Sequence, residues 1–232
     1  MNMFLDFFMT PTFLLALAGG ILPAMIWLWF WLREDRAHPE PRVLLLFTFV
    51  GGMMAVPLVL HLESPIPILF GAYSVVTVII WAALEEIVKF AGAYITALRT
   101  KAYNEPIDAI IYMLTVALGF SALENALFIF DPLVSGNIPD SIITGNLRFI
   151  GASLLHMVSS ATIGIFAAFA FYKSRIYRFA YTLLGIIFAI IFHASFNLFI
   201  MNNDQNFTLI TFSTVWIAVV VLLLIFEKVK KI

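Results

Sequence analysis

Glu85 and Glu86 stand side by side in an apolar run, Ile79-Ile80-Trp81-Ala82-Ala83-Leu84-Glu85-Glu86-Ile87-Val88-Lys89-Phe90, with Lys89 one helical turn further on. A glutamate held in a dry site can take a proton from water and so start a hydrolysis. Other strongly polar residues interrupt later apolar runs: Glu124 and Asn125, then His156, Ser159 and Ser160, then His193, Ser195 and Asn197. A histidine can shuttle a proton or orient a nucleophile. An imidazole and the Asn197 amide can donate to a developing oxyanion. The parts are those of a hydrolase that uses activated water. No serine sits in a nucleophile elbow, and no HExxH zinc motif is present.

Several of these residues are spaced four apart: Glu85/Lys89, His156/Ser160 and His193/Asn197. Positions i and i+4 share a helix face, so each of three helices carries a short polar ridge. Lipid cannot solvate such ridges, and they are expected to face one another.

The rest of the chain sets where those helices lie. Of 232 residues, 62% are hydrophobic and 12% charged, and the mean hydropathy is +1.02. Several apolar stretches exceed the ~18 residues that read as a membrane-spanning helix. The expected fold is all-α, a single integral membrane domain over 1–232. About seven transmembrane helices are expected, near 11–32, 43–62, 66–98, 106–130, 147–172, 179–201 and 207–226. The third is too long for one straight crossing and is expected to tilt or extend. The polar core is carried by 66–98, 106–130, 147–172 and 179–201. Trp27, Trp29 and Trp31 are expected to form an interfacial belt, and His61 and Glu63 to be interfacial.

Eleven of the thirteen Lys and Arg fall on one side of this seven-span scheme: Arg33, Arg36 and Arg42, Arg99 and Lys101, Lys173, Arg175 and Arg178, and Lys228, Lys230 and Lys231. Arg148 alone lies on the other side. The positive-inside rule then puts the N-terminus outside and the C-terminus in the cytoplasm, in the cell membrane. The first ten residues hold Asp6 and no basic residue, so a secretory signal is not expected. With a net charge of −1 and no basic patch, nucleic acid is not an expected partner, and with no cysteine, thiol chemistry is excluded.

Depth follows from the same scheme. At ~1.5 Å per residue, Glu85, Glu124, His156 and His193 each lie ~21–26 Å from the cytoplasmic edge of their own span. In a hydrocarbon core of ~30 Å that level is in the outer half. Polar substitutions without a common purpose would not share a plane.

The ordered motifs carry a resemblance. Glu85-Glu86-Ile87-Val88-Lys89 fits EExxK, Phe120-Ser121-Ala122-Leu123-Glu124-Asn125 fits FxxxEN, and His193-Ala194-Ser195-Phe196-Asn197 fits HxxxN. His156-Met157-Val158-Ser159-Ser160, the loop His38-Pro39-Glu40-Pro41 and the stretch Glu105-Pro106-Ile107-Asp108 fit as well. Over about residues 33–200 the sequence resembles the PrsW family of intramembrane proteases, distant relatives of the CAAX prenyl endopeptidase group. Ala109 departs from the glycine expected after the aspartate, a mild change. The resemblance implies a glutamate-type membrane peptidase whose partners are the lipid bilayer and a single-pass, anti-sigma-factor-like substrate cut near the outer half. Carried over, Glu85 is the general base, and Glu86 supports it or shares its proton. His156 and His193 orient water or stabilise charge, and Asn197 donates to the oxyanion. Lys89 and Ser160 support the glutamates. Glu124 stays open between proton carrier, metal ligand and partner of a histidine. No cofactor is expected outright, but His156, His193 and Glu124 are candidates for a divalent metal such as zinc.

The alternative is a proton-coupled transporter or channel, since intramembrane Glu, Lys and His also build proton relays. A relay needs polar groups strung across the membrane, and these share one depth.

Overall fold

The computed structural model describes residues 10–35, 39–72, 74–201 and 205–231. Arg36 and His38, named above, lie outside the described residues. The described residues form helices and no strands, as expected for an all-α chain. In chain order the helices are α1 (Pro11–Glu34), α2 (Arg42–Glu63), α3 (Ile66–Phe70), α4 (Val75–Ala93), α5 (Pro106–Val134), α6 (Ile138–Leu147), α7 (Ser153–Phe169), α8 (Arg175–Ile200) and α9 (Gln205–Val229). Two π-helical turns are inserted, Tyr94–Leu98 after α4 and Arg148–Ala152 between α6 and α7.

Six stretches are long and apolar enough to cross a membrane: Pro11–Glu34, Arg42–Phe70, Pro106–Val134, Ile138–Phe169, Arg175–Ile200 and Leu209–Val229. α4 is not among them, because its 19 residues include Glu85, Glu86 and Lys89. Its polar residues Glu85, Glu86 and Lys89 are buried against its neighbours, while Val75, Val76, Ile79 and Ile87 are exposed. The expected unbroken span over 66–98 is corrected. Gly71, at φ 87, breaks it, and Ser74 starts α4 afresh by accepting the Thr77 amide N–H at 3.1 Å. A positive φ suits glycine, which has no Cβ to clash. The fifth span also begins earlier than expected, at Ile138, because α6, the π turn and α7 run on without a gap.

α5 is the hub. Its side chains are buried on every face from Pro106 to Ala122. A helix apolar all round belongs inside a bundle, not on its surface. α1, α2 and α7 pack directly on it. Backbones touch at small residues: a Cβ on Gly20 would lie 2.0 Å from the Ala122 carbonyl oxygen, one on Gly52 2.0 Å from that of Val116, and one on Gly119 1.9 Å from that of Phe49. Trp31 is fully buried and its indole N–H points at Met157 Sδ, 3.3 Å away, so it belongs to the core and not to an interfacial belt.

The start of α5 is fixed by Asp108, whose Oδ2 accepts the backbone N–H groups of Asn104 and Glu105, both at 2.8 Å. Those amides would otherwise be unsatisfied at the helix N-terminus. Close by, Tyr112 donates its hydroxyl to Glu40, anchoring the loop before α2. Burial pushes the Glu40 carboxyl up from 4.5 to about 8, helped by Asp108 beside it.

Two outcomes follow. Gly119→Ala forces α2 and α5 apart and lowers stability by about 1–3 kcal/mol, the usual cost of overpacking, read by thermal denaturation in detergent. Folded Glu40 holds its proton to higher pH than the unfolded chain does, so stability falls as pH rises from 4.5 to about 8. Glu40→Gln flattens that slope, measured by melting temperature across the same range.

Candidate active site

α4, α5, α7 and α8 bring the polar ridges together. Glu86 is at the centre and is fully buried. Its Oε1 accepts from Lys89 Nζ at 2.6 Å and from His193 Nδ1 at 2.8 Å, and its Oε2 accepts from the Ser160 hydroxyl at 2.8 Å. Lys89 Nζ also lies 3.0 Å from His156 Nδ1 and 4.7 Å from the centre of the Phe120 ring. On the far side of the His156 ring, Nε2 lies 2.7 Å from Glu124 Oε2, which also accepts from Arg148 Nη2 at 2.6 Å.

These contacts set the histidine tautomers. Glu86 Oε1 already receives a Lys89 proton, so His193 carries its hydrogen on Nδ1. Glu124 Oε2 already receives an Arg148 proton, so His156 carries its hydrogen on Nε2. An ammonium has only donors, which again leaves His156 Nδ1 as an acceptor. Both imidazoles therefore have their unprotonated nitrogen on the Glu85 side, that of His156 accepting from Lys89. Glu85 Oε2 stands 3.7 Å from His156 Nδ1 and 3.8 Å from His193 Nε2. It is buried and accepts no hydrogen bond among the described residues.

Glu85, His156 and His193 thus offer three ligand atoms within 4.8 Å of one another. Each imidazole is backed by a carboxylate on its other nitrogen, the arrangement that orients histidines toward metals. The donor set, two nitrogens and a carboxylate oxygen, suits zinc. Lys89 Nζ, 3.0 Å from His156 Nδ1, competes with an ion for that lone pair. Glu124, a metal candidate in the sequence, lies instead behind His156, and Glu85 takes its place in the donor set.

A cavity of about 870 Å³ opens over this cluster. Glu85, Glu124, His156 and His193 form its polar floor, and Trp81, Phe128, Phe196 and Phe212 are among its apolar walls. Asn197 lines it one turn beyond His193, without a hydrogen bond to the cluster. Ser159 is buried with no hydrogen-bond partner among the described residues. Arg148 and Glu63 are among the lining residues that had no part in the sequence-based site. Arg148 looked like a stray outer charge, although its being alone on that side was a usable signal. Glu63 looked interfacial, and only the close of α2 over the cavity brings it in.

The profile of the PrsW family intramembrane metalloprotease matches residues 40–225. The chain belongs to the PrsW family. Protease PrsW of Clostridioides difficile (strain 630) is 28% identical over 190 residues, covering 78% of this chain and 77% of the relative. Protease PrsW of Geobacillus kaustophilus (strain HTA426) is 26% identical over 170 residues, covering 72% and 73%. Protease PrsW of Shouchella clausii (strain KSM-K16) is 24% identical over 215 residues, covering 92% and 94%. No solved structure shows a significant match. Membership makes this PrsW chain an intramembrane protease, a hydrolase and a multi-pass protein of the cell membrane.

The two adjacent glutamates have different surroundings, and their substitutions separate accordingly. Glu86→Gln takes from buried Lys89 its close charge partner at 2.6 Å, leaving Glu85 at 3.7 Å, and costs about 3–5 kcal/mol, the usual penalty for breaking a buried pair. Glu85→Gln removes no hydrogen bond and only the longer contact with Lys89, 3.7 Å, and lowers stability by less, about 1 kcal/mol. Thermal denaturation of the two purified variants checks the difference.

Proposed function

We propose that this protease cleaves single-pass membrane proteins near the outer half of the bilayer, and that Glu85, His156 and His193 form its reacting centre. The observation that carries the reading is the convergence, beside a cavity, of two imidazole nitrogens and one carboxylate oxygen that accepts no hydrogen bond among the described residues and lies 3.7 Å from the Lys89 ammonium. A binding protein gains nothing from leaving a buried carboxylate oxygen without a donor, which is costly. A hydrolase needs such an atom to meet water.

The same three residues would hold a divalent metal, in line with the metalloprotease description of the family. Such an ion supplies Lewis-acid chemistry, polarising a peptide carbonyl and acidifying water. Glu86 and Glu124 hold the two imidazoles in the tautomers that face the centre. The Lys89 ammonium offsets the Glu86 carboxylate, so that Glu86 stays an acceptor. Asn197 is placed to donate its amide N–H to the carbonyl oxygen of a bound segment. The apolar walls exclude bulk water and accept an unwound stretch of a transmembrane helix, whose freed backbone groups need partners.

A second reading, metal-free and glutamate-type, has its own support. Lys89 Nζ already supplies a cation 3.0 Å from His156 Nδ1. There Glu85 Oε2 takes the proton from water directly. Both readings require Glu85. A relay across the membrane is less well supported, because the polar groups gather around one point.

The test compares newly formed N-termini in membrane fractions of cells carrying the natural chain or Glu85→Gln. The expected result is a set of single-pass proteins cut toward the outer side only with the natural chain. Equal cleavage with Glu85→Gln would sink the assignment.

A further inference from the structure

Arg148 is the residue that neither the motifs nor the family description accounts for. It begins the π-helical turn Arg148–Ala152, and π turns within α-helices recur at functional sites. Its side chain is only 16% exposed. Nη2 donates to Glu124 Oε2 at 2.6 Å, Nε donates to Asn125 Oδ1 at 2.6 Å, and the guanidinium lies 3.9 Å from the centre of the Phe128 ring. Three residues of α5 thus hold it on two polar edges and one face. Asn125 is itself fixed, donating to the hydroxyls of Ser121 at 3.1 Å and Ser153 at 2.9 Å.

This is more than a surface ion pair. The oxygen that receives Arg148 is the one that receives His156. With Arg148 in place, Glu124 can only accept, and it accepts from His156 Nε2–H. Without Arg148, Glu124 loses the donor that fixes its rotamer and its direction, and the Lys89 ammonium 3.0 Å from Nδ1 is left to hold the His156 tautomer without a fixed partner on Nε2. The lone pair on Nδ1 is the one the reacting centre uses. Lysine could not substitute, because an ammonium lacks the rigid fork that bridges a carboxylate and an amide in fixed geometry.

We infer that Arg148 is a positioning residue of the protease: clamped to Asn125, it holds Glu124 so that Glu124, together with Lys89 on the other ring nitrogen, keeps His156 as the Nε2–H tautomer with the Nδ1 lone pair on the side of the reacting centre. The inference rests on the reading of His156 as part of that centre.

The test is nitrogen-15 NMR of histidine-labelled protein in detergent. The chain has four histidines, so few signals need assigning. The expected result is a single Nε2–H tautomer at His156 in the natural chain. Arg148→Lys and Arg148→Gln both give mixed tautomers at His156 and leave His193 unchanged. With a single-pass substrate found in the Glu85 comparison, turnover falls about 10–100-fold, the usual effect of losing outer-shell support, while KM changes little. If Arg148→Gln does not fold, Arg148→Lys, which keeps the charge, decides. An unchanged His156 tautomer in the folded variants overturns the inference, as does a Nδ1–H tautomer in the natural chain. A lowered melting temperature without a tautomer change also overturns it, since that is a merely structural role. The NMR result needs no substrate. Cleavage by Glu85→Gln would therefore defeat the hydrolytic reading separately from this one.

Discussion

A buried ammonium and a buried carboxylate, Lys89 and Glu86, meet at 2.6 Å where neither is exposed to solvent. Removing two charges from water costs several kcal/mol each, and their attraction repays this only with good geometry and further hydrogen bonds. Everything around the pair answers that demand. Ser160 and His193 donate to the carboxylate, and His156 and the Phe120 ring receive the ammonium. These partners come from α5, α7 and α8, so satisfying a pair on α4 requires three further helices to close on it. The charge pair therefore fixes the packing of the site helices.

Within that frame Glu85 is the exception. It is the neighbour of Glu86, yet its Oε2 is buried, accepts no hydrogen bond among the described residues and stands 3.7 Å from Lys89 Nζ. About 100° of helical rotation separates neighbouring side chains, enough to point one glutamate into the protein and the other onto the cavity floor. The proposed division of labour follows from this geometry: Glu86 holds the helices and one histidine, and Glu85 is the one we assign to the chemistry. Glu124 repeats the holding role for the other histidine, from α5 and through Arg148.

Much of this was legible in the sequence. Charges cannot be left in lipid, so the four-residue spacings in three apolar runs were enough to bring Glu85, Glu86, Lys89, His156 and His193 to one place. What the spacing could not show is which atom meets which. Glu124 looked like a metal candidate because its depth matched, but Arg148 draws it behind His156. Arg148 was misread because the π turn that aims it inward has no clear sequence signature. The third span was misread for a related reason. Gly71 is one glycine in an apolar run, and only its backbone angle of 87° marks the break. Trp31 looked interfacial by composition, yet the close approach of the helices around α5 buries it.

The central proposal, in its metal-dependent form, is that Glu85, His156 and His193 are one donor set for a divalent ion. X-ray absorption at the zinc edge, on purified metal-free protein given one equivalent of zinc, tests it most directly. The account predicts bound zinc with imidazole nitrogen and carboxylate oxygen ligands, one imidazole lost in His156→Ala and again in His193→Ala, and cleavage that disappears with the metal. A chain that binds no zinc and still cleaves in the presence of chelator would contradict it.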